Sequence, residues 1–450
     1  MTSLQDELSE IATELDVPGA VAAVVSGAST EIAVHGVTNI EHPLPVTDDT
    51  LFQFGSTGKT FTATALLVLV EQGRLALEDR VRRHVPELTL RDESVAEDVT
   101  VLHLLNHTAG WFGDFLTDTG DGDDCLARYV ERMAELEQVS PLGATVSYNN
   151  ASLSLAGRVI EKVTGKPYER AVKDLVLTPL GLERTFGFAK DIMTYRFASG
   201  HVRGADGTLS LARPWYLPRS GAPAGGWTAD IRDQVAWARF HLGLTDSTLL
   251  SDAMRLKMQT PTAHMRGSAL GDAVGISWLL TDLGGVVQVS HGGSTLGQLS
   301  AFDMVPEREF AFICMTNCAP TGSQLYGKLG AWARERHLGI TAAEPELAEV
   351  NDLELAVYGG RYAMTAATMD IVPREGRLIA TVTITDPTLQ AEGEPAEQPP
   401  VPLALLAGDG DRYVIAEGDG KGMKGYFSRA EDGRVLTINF SGRDMTKVGT

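Results

Sequence analysis

The 450-residue sequence predicts an α/β (α+β) domain, with an antiparallel sheet flanked by helices plus a helical lobe, followed by a small all-β barrel. Three observations predict it. Strand-length apolar runs near the start and before residue 320 bracket a middle with helical periodicity. A short acidic stretch with a proline, Ala342-Ala343-Glu344-Pro345-Glu346, reads as a linker. Beyond it the period changes to strict alternation between turns, the pattern of hairpins. The expected domains are residues 1–342 and 343–450.

The elements follow in order. Met1 to Asp16 is acidic and amphipathic and holds a short helix. Val21 to Val25, after Pro18-Gly19-Ala20, reads as the first strand, and Glu31 to His35 pairs with it. Thr50 to Phe54 leads into the apolar helical run Phe61 to Val70. Residues from about 60 to 240 read as mostly helical, including Ala151 to Val163. Val286 to Val289, Leu299 to Met304 and Ala311 to Asn317 read as antiparallel strands, and Tyr326 to Arg336 as a closing helix ended at Gly339. In the second domain Leu378, Ala380, Val382 and Ile384 alternate with polar neighbours, as do Leu436, Ile438 and Phe440. Arg374-Glu375-Gly376-Arg377 and Glu431-Asp432-Gly433-Arg434 supply turns. Short strands of this kind suit a closed barrel, opened by Tyr358-Gly359-Gly360-Arg361-Tyr362. Glu392 to Pro402, rich in proline and glutamate, is expected to be a loop within it.

Composition narrows the function. Apolar content of 43% suits a globular chain. A net charge of −21 disfavours nucleic acid and anionic membranes as partners. The three cysteines, Cys125, Cys314 and Cys318, are too few and odd in number for a disulfide framework. No His/Cys cluster has zinc spacing. Asp118, Asp121, Asp123 and Asp124 miss the calcium-loop spacing. No metal or cofactor is expected. The N-terminal stretch lacks the basic and apolar regions of a signal peptide, and no run has membrane-spanning length. The expected location is cytoplasmic.

The chemistry concentrates at Ser56-Thr57-Gly58-Lys59. A serine three residues before a lysine at a helix start places both side chains on one face, one turn apart. An amine touching the hydroxyl makes serine a nucleophile. Gly58-Lys59-Thr60 also ends like a phosphate-binding loop. That motif needs a glycine where this sequence has Gln53, and Gly55 lies too close to Gly58 for the wide cradle.

Two distant segments complete a constellation. Tyr148-Asn149-Asn150 precedes the helical run Ala151 to Val163, and His291-Gly292-Gly293 follows a strand and precedes Ser294. Ser-x-x-Lys, Tyr-x-Asn and a Gly-Gly-containing strand, in this order, resemble the penicillin-binding protein and class C β-lactamase superfamily. His291 stands where β-lactamases carry Lys-Thr-Gly. The histidine resembles the class-C-like esterases, D-aminopeptidases and penicillin-binding-protein-type thioesterases. Leu104-Leu105-Asn106-His107-Thr108-Ala109-Gly110 and Ala224-Gly225-Gly226-Trp227-Thr228-Ala229-Asp230 extend the likeness. The second domain resembles the lipocalin-like barrel fused to some members.

The resemblance implies roles. Ser56 forms the acyl-enzyme. Lys59 holds positive charge beside Ser56 and Tyr148, and that charge should lower the phenol's pKa from about 10 and make Tyr148 the candidate base. Lysine and tyrosine form a coupled pair, and sequence leaves open which of them takes the proton. Asn150 bonds Lys59 and a substrate amide. His291 faces the cleft and donates to Tyr148 or to a substrate carboxylate. The N–H groups of Ser56 and Ser294 form the oxyanion hole. Gly292 and Gly293 let the acyl group lie against the strand edge. Arg443 is the candidate barrel residue for reaching substrate.

One hydrolase domain with one barrel and no export signal looks most like a stand-alone penicillin-binding-protein-type thioesterase. Such an enzyme macrocyclises a nonribosomal peptide carrying a D-residue and delivered by a carrier protein. The same residues suit a D-stereospecific aminopeptidase or amidase, or an esterase. A non-catalytic ligand sensor on this fold is the reading from another class. The lack of an export signal argues against a role in peptidoglycan synthesis or antibiotic defence.

Overall fold

The computed structural model describes residues 2–204, 206–341, 343–386, 396–418 and 420–449. An eight-stranded sheet organises the larger part. Its order is Ser29–Gly36, Gly19–Ser26, Phe310–Thr316, Leu299–Val305, Val287–Ser294, Leu279–Asp282, Gly271–Val274 and Ala263–Ser268, and every neighbouring pair is antiparallel.

Alternation along the central strands sorts side chains onto the two faces. Ala20, Ala22 and Val24 pack with Phe310, Phe312 and Cys314 against the helices Leu4–Glu14 and Thr321–Leu338. Val21, Ala23 and Val25 join Ala311, Ile313 and Met315 in the larger core on the opposite face. That core surrounds the helix Lys59–Glu71, which is buried from Lys59 through Leu69. A helix apolar all round belongs in an interior, and this one carries the Ser-x-x-Lys lysine at its first residue. The helix Asn150–Thr164 packs beside it.

The predicted strands and terminal helices occur, but the strand expected to end at Val289 runs on to Ser294 and the closing helix begins earlier than expected, at Thr321; Gly339 ends that helix, Thr321–Leu338, in a left-handed conformation. Two further expectations need correction. Three strands between Ala263 and Asp282 extend the sheet beyond the five named from sequence. They are short and broken by Gly267 and Gly271, both at positive φ, which erases the alternation that identifies a strand. The middle of the chain is also less helical than its periodicity suggests. Between Asn106 and Asp124, and between Leu136 and Asn149, it is irregular. Side chains hold these segments: the Gln138 amide donates to the carbonyls of Ala109 (3.0 Å) and Ser140 (2.7 Å).

The C-terminal part is a closed eight-stranded barrel running from Gly360–Met364 to Arg443–Gly449, with these first and last strands paired. Closure removes the sheet edges. Tyr362, Met369, Leu378, Leu403, Phe427 and Ile438 fill it and are fully buried. Of the loop expected over Glu392 to Pro402, residues 392–395 lie outside the described residues. Val401 and Pro402 begin the strand Val401–Leu406 instead, where Val401, Pro402 and Leu403 pair with Ala380, Ile379 and Leu378. Among the described residues no helix is long and apolar enough to cross a membrane.

Candidate active site

Gly55–Gly58 forms a single 3-10 turn, and the α-helix begins at Lys59. In a 3-10 turn residues i and i+3 eclipse, so Ser56 and Lys59 line up more directly than an α-helical start would allow. Lys59 Nζ lies 2.9 Å from Ser56 Oγ. It also donates to Asn150 Oδ1 at 2.7 Å and to the Ala224 carbonyl at 2.6 Å. Burial holds the amine well below its usual pKa, and the Arg443 charge pushes the same way, while Asp114 opposes both.

The turn is fixed by close backbone approach. Gly55 has φ +53°, and a Cβ there would lie 2.6 Å from the Ser294 nitrogen. That contact sets the Ser294 backbone against the nucleophile turn. Ser56 and Ser294 border one cavity of about 120 Å³.

Tyr148 is held from both sides. The Asn149 N–H donates to His107 Nδ1 at 3.2 Å, and the Asn149 side chain caps the helix Asn150–Thr164. The His107 ring centroid lies 4.6 Å from that of Tyr148. The Ser56 hydroxyl acts to lower the Tyr148 pKa. That pKa, however, is raised and not lowered. The phenol is buried, and that outweighs the Ser56 hydroxyl and the Arg443 charge. Lys59 Nζ sits 4.7 Å over the ring centroid, on the aromatic face.

The Gly-Gly strand departs from two expectations. His291 is 1% exposed, so it does not face open cleft. Its Nδ1 lies 2.6 Å from the Gly292 carbonyl, its Nε2 is buried without a partner among the described residues, and no hydrogen bond joins it to Tyr148. Burial and the Lys59 charge lower its pKa to about 3. A Cβ on Gly293 would lie 1.9 Å from the Phe54 carbonyl oxygen, so this glycine serves packing of the strand against the nucleophile segment. Gly292 is exposed, and a Cβ there would meet only the Ser300 carbonyl, at 3.5 Å.

The barrel reaches the site. Ser441 (φ +50°) and Gly442 (φ +77°) connect the last two strands, the pattern of a tight two-residue hairpin. Gly442 accepts from the Tyr148 N–H at 2.8 Å, and the Asp444 N–H donates to Ser147 Oγ at 3.2 Å. This docks Arg443 beside the site, with its guanidinium carbon 5.0 Å from the Tyr148 ring centroid. Its Nε and Nη2 grip the two oxygens of Asp114, the latter at 3.1 Å. Asp114 also accepts from Asn150 Nδ2 at 2.8 Å. Although buried, its carboxyl is kept below the usual range, with Arg443 the largest influence opposing burial.

Asp114 was not anticipated from sequence. Its signal is a lone carboxylate in the apolar stretch Trp111-Phe112-Gly113-Asp114-Phe115-Leu116, where a buried charge requires partners. A hydrogen-bonded line therefore runs from Ser56 through Lys59, Asn150 and Asp114 to Arg443.

Comparison with known proteins agrees with the fold and extends it. The family model described as Beta-lactamase matches residues 4–332. Penicillin-binding protein 4 of Amycolatopsis lactamdurans is 36% identical over 325 residues, covering 70% of this chain and 84% of that protein. A beta-lactamase of Yersinia enterocolitica is 32% identical over 210 residues, 47% of this chain and 53% of its own length. The crystal structure of SurE matches 99% of this chain and 98% of its own, barrel included, with a TM-score of 0.76 at 25% identity. The chain belongs to the beta-lactamase family of serine hydrolases, in a form that carries a closed C-terminal barrel.

Proposed function

We propose that this chain is a stand-alone penicillin-binding-protein-type thioesterase that releases and macrocyclises a nonribosomal peptide. The observation that carries the proposal is the line of hydrogen bonds joining Ser56 to Arg443, which makes a single barrel part of the wall around the nucleophile. The whole-length match to SurE supports a one-barrel architecture of this kind.

In the proposed reaction, Ser56 Oγ attacks the thioester carbonyl and its proton passes to the Lys59 amine. A lysine held well below its ordinary pKa can accept that proton. Tyr148, kept protonated by burial, relays a proton from Lys59 to the departing thiolate as the C–S bond breaks. The N–H groups of Ser56 and Ser294 hold the oxyanion. The peptide's own amine then attacks the Ser56 ester and loses its proton back through Tyr148 and Lys59. The macrolactam forms and Ser56 is restored. Arg443 has five N–H donors, and three bonds tie it to Asp114 and Ser441. It is the barrel residue proposed to meet the peptide. A D-residue at the acyl position, delivery by a carrier protein and a cytoplasmic location belong to the same proposal.

Water as acceptor is the second reading, favoured by the hydrolase family itself, and would make the chain a D-stereospecific aminopeptidase, amidase or esterase. The test is turnover of a linear peptidyl thioester ending in a D-residue. A cyclic product supports the cyclase. Linear acid alone transfers the assignment to the hydrolases. A chain that binds the peptide without turnover is a sensor.

A further inference from the structure

A second, larger cavity lies at the other end of the strand Val287–Ser294 from Gly292 and Gly293. It measures about 810 Å³ and shares no lining residue with the cavity at Ser56. Sites that enclose a whole small ligand run to roughly 300–1,000 Å³. Its walls include the buried side chains of Leu242, Ala273, Leu280 and Val289. Leu256, on the helix Asp252–Met258, and Val287 also line it, yet they are 53% and 46% exposed. Apolar surface left wet inside a cavity gains free energy when a ligand covers it.

The charge around this apolar lining is one-sided. The strands Gly271–Val274 and Leu279–Asp282 pair antiparallel, and the Asp282 N–H donates to Asp272 Oδ2 at 2.9 Å. The Asp282 carboxylate accepts the Gly285 N–H at 2.6 Å. Each carboxylate keeps lone pairs for further donors. Glu307, on the turn Pro306–Arg308, adds a third acid to the lining and pairs with Arg308 at 3.3 Å. Among the described residues, no lysine or arginine forms an ion pair with Asp272 or Asp282. Arg255 also lines the cavity, but it is committed elsewhere. Its guanidinium donates to the His241 carbonyl at 2.9 Å and to Asp252 Oδ1 at 3.1 Å. His264 is the remaining basic group on the lining and is exposed.

We infer that this cavity is a second binding site, for a small amphipathic cation: a primary ammonium on an aliphatic or aromatic body. The body covers Leu256 and Val287, and the ammonium donates to Asp272 and Asp282. A carboxylate ligand would meet three acids, and a neutral one would leave both aspartates without a counter-charge. The site stands apart from the acyl-transfer chemistry, because none of its residues belongs to that machinery.

The test is calorimetric titration of the full chain at low salt with 4-phenylbutylammonium, 4-phenylbutanol and 4-phenylbutyrate, which carry one body with three charges. The expected result is a single saturable site for the ammonium, about fivefold or more tighter than the alcohol, with no detectable binding of the carboxylate. The double variant Asp272→Asn/Asp282→Asn keeps an acceptor oxygen at each position and should weaken the ammonium by about fivefold or more while leaving the alcohol unchanged. Leu256→Lys, at an exposed helix position, should weaken the ammonium by about tenfold or more, through lost apolar cover and a competing cation. Equal affinity for the three probes, no binding of the ammonium, or an ammonium affinity that either variant leaves unchanged overturns the assignment.

Discussion

Arg443 at the base of the last barrel strand and Asp114 in the loop behind the nucleophile form a two-pronged ion pair, although 329 residues separate them in sequence. Asp114 passes the contact to Asn150, and Asn150 to Lys59. The barrel is thereby joined to Lys59, the residue proposed to activate Ser56.

The pair should be energetically coupled. Arg443 is partly exposed and Asp114 buried, so breaking one side of the pair leaves a poorly solvated charge, at a cost of about 1–3 kcal/mol. Arg443→Ala and Asp114→Ala should each destabilise by about that much, while the double variant should lose clearly less than the sum. Chemical denaturation of the four proteins in a mutant cycle checks this, and additive losses would contradict the coupling.

The same pair should tune the acid limb of activity, whose position burial of Lys59 largely determines. The Arg443 charge pushes the Lys59 pKa down and the Asp114 charge pushes it up. If neutral Lys59 is the active form, kcat/KM falls as pH drops through its lowered pKa. Arg443→Met should move that limb to higher pH, and Asp114→Asn should move it to lower pH. A pH–rate profile for each variant reads the sign directly. Shifts in the same direction, or none, would remove Lys59 from the role of base.

Tyr148→Phe keeps the ring between His107 and Lys59 and removes only the hydroxyl. A loss of about 10²–10⁴ in kcat is expected for a proton-transfer group, with KM and thermal stability near those of the parent. Equal losses in kcat and stability would make the tyrosine structural.

The two strand glycines should respond differently. Gly293→Ala drives a methyl into the Phe54 carbonyl at 1.9 Å and should abolish Ser56 reactivity. Gly292→Ala meets its nearest neighbour at 3.5 Å and should retain covalent labelling of Ser56. A fluorophosphonate probe on both variants distinguishes them.

Much of this site was legible because its residues sit beside short-range signals. Ser56 and Lys59 share one turn, Tyr148 and Asn150 flank a helix start, and His291 and Ser294 share a strand with Gly292 and Gly293. The barrel showed itself through alternation at Leu378 to Ile384, and Arg443 through its place after Ser441-Gly442. Asp114 lay hidden because its partner comes from the other end of the chain. The state of Tyr148 was misjudged for a related reason. Sequence placed an ammonium nearby, but only the packing shows that Lys59 lies over the ring and that burial dominates. The strands between Ala263 and Asp282 were missed because glycines interrupt their pattern.

The most direct test of the account is intact-protein mass spectrometry after exposure to a peptidyl thioester mimic ending in a D-residue. The account predicts a mass increase equal to the peptidyl group, mapping to Ser56 and absent from Ser56→Ala. An adduct on another residue, or turnover that persists in Ser56→Ala, would contradict it.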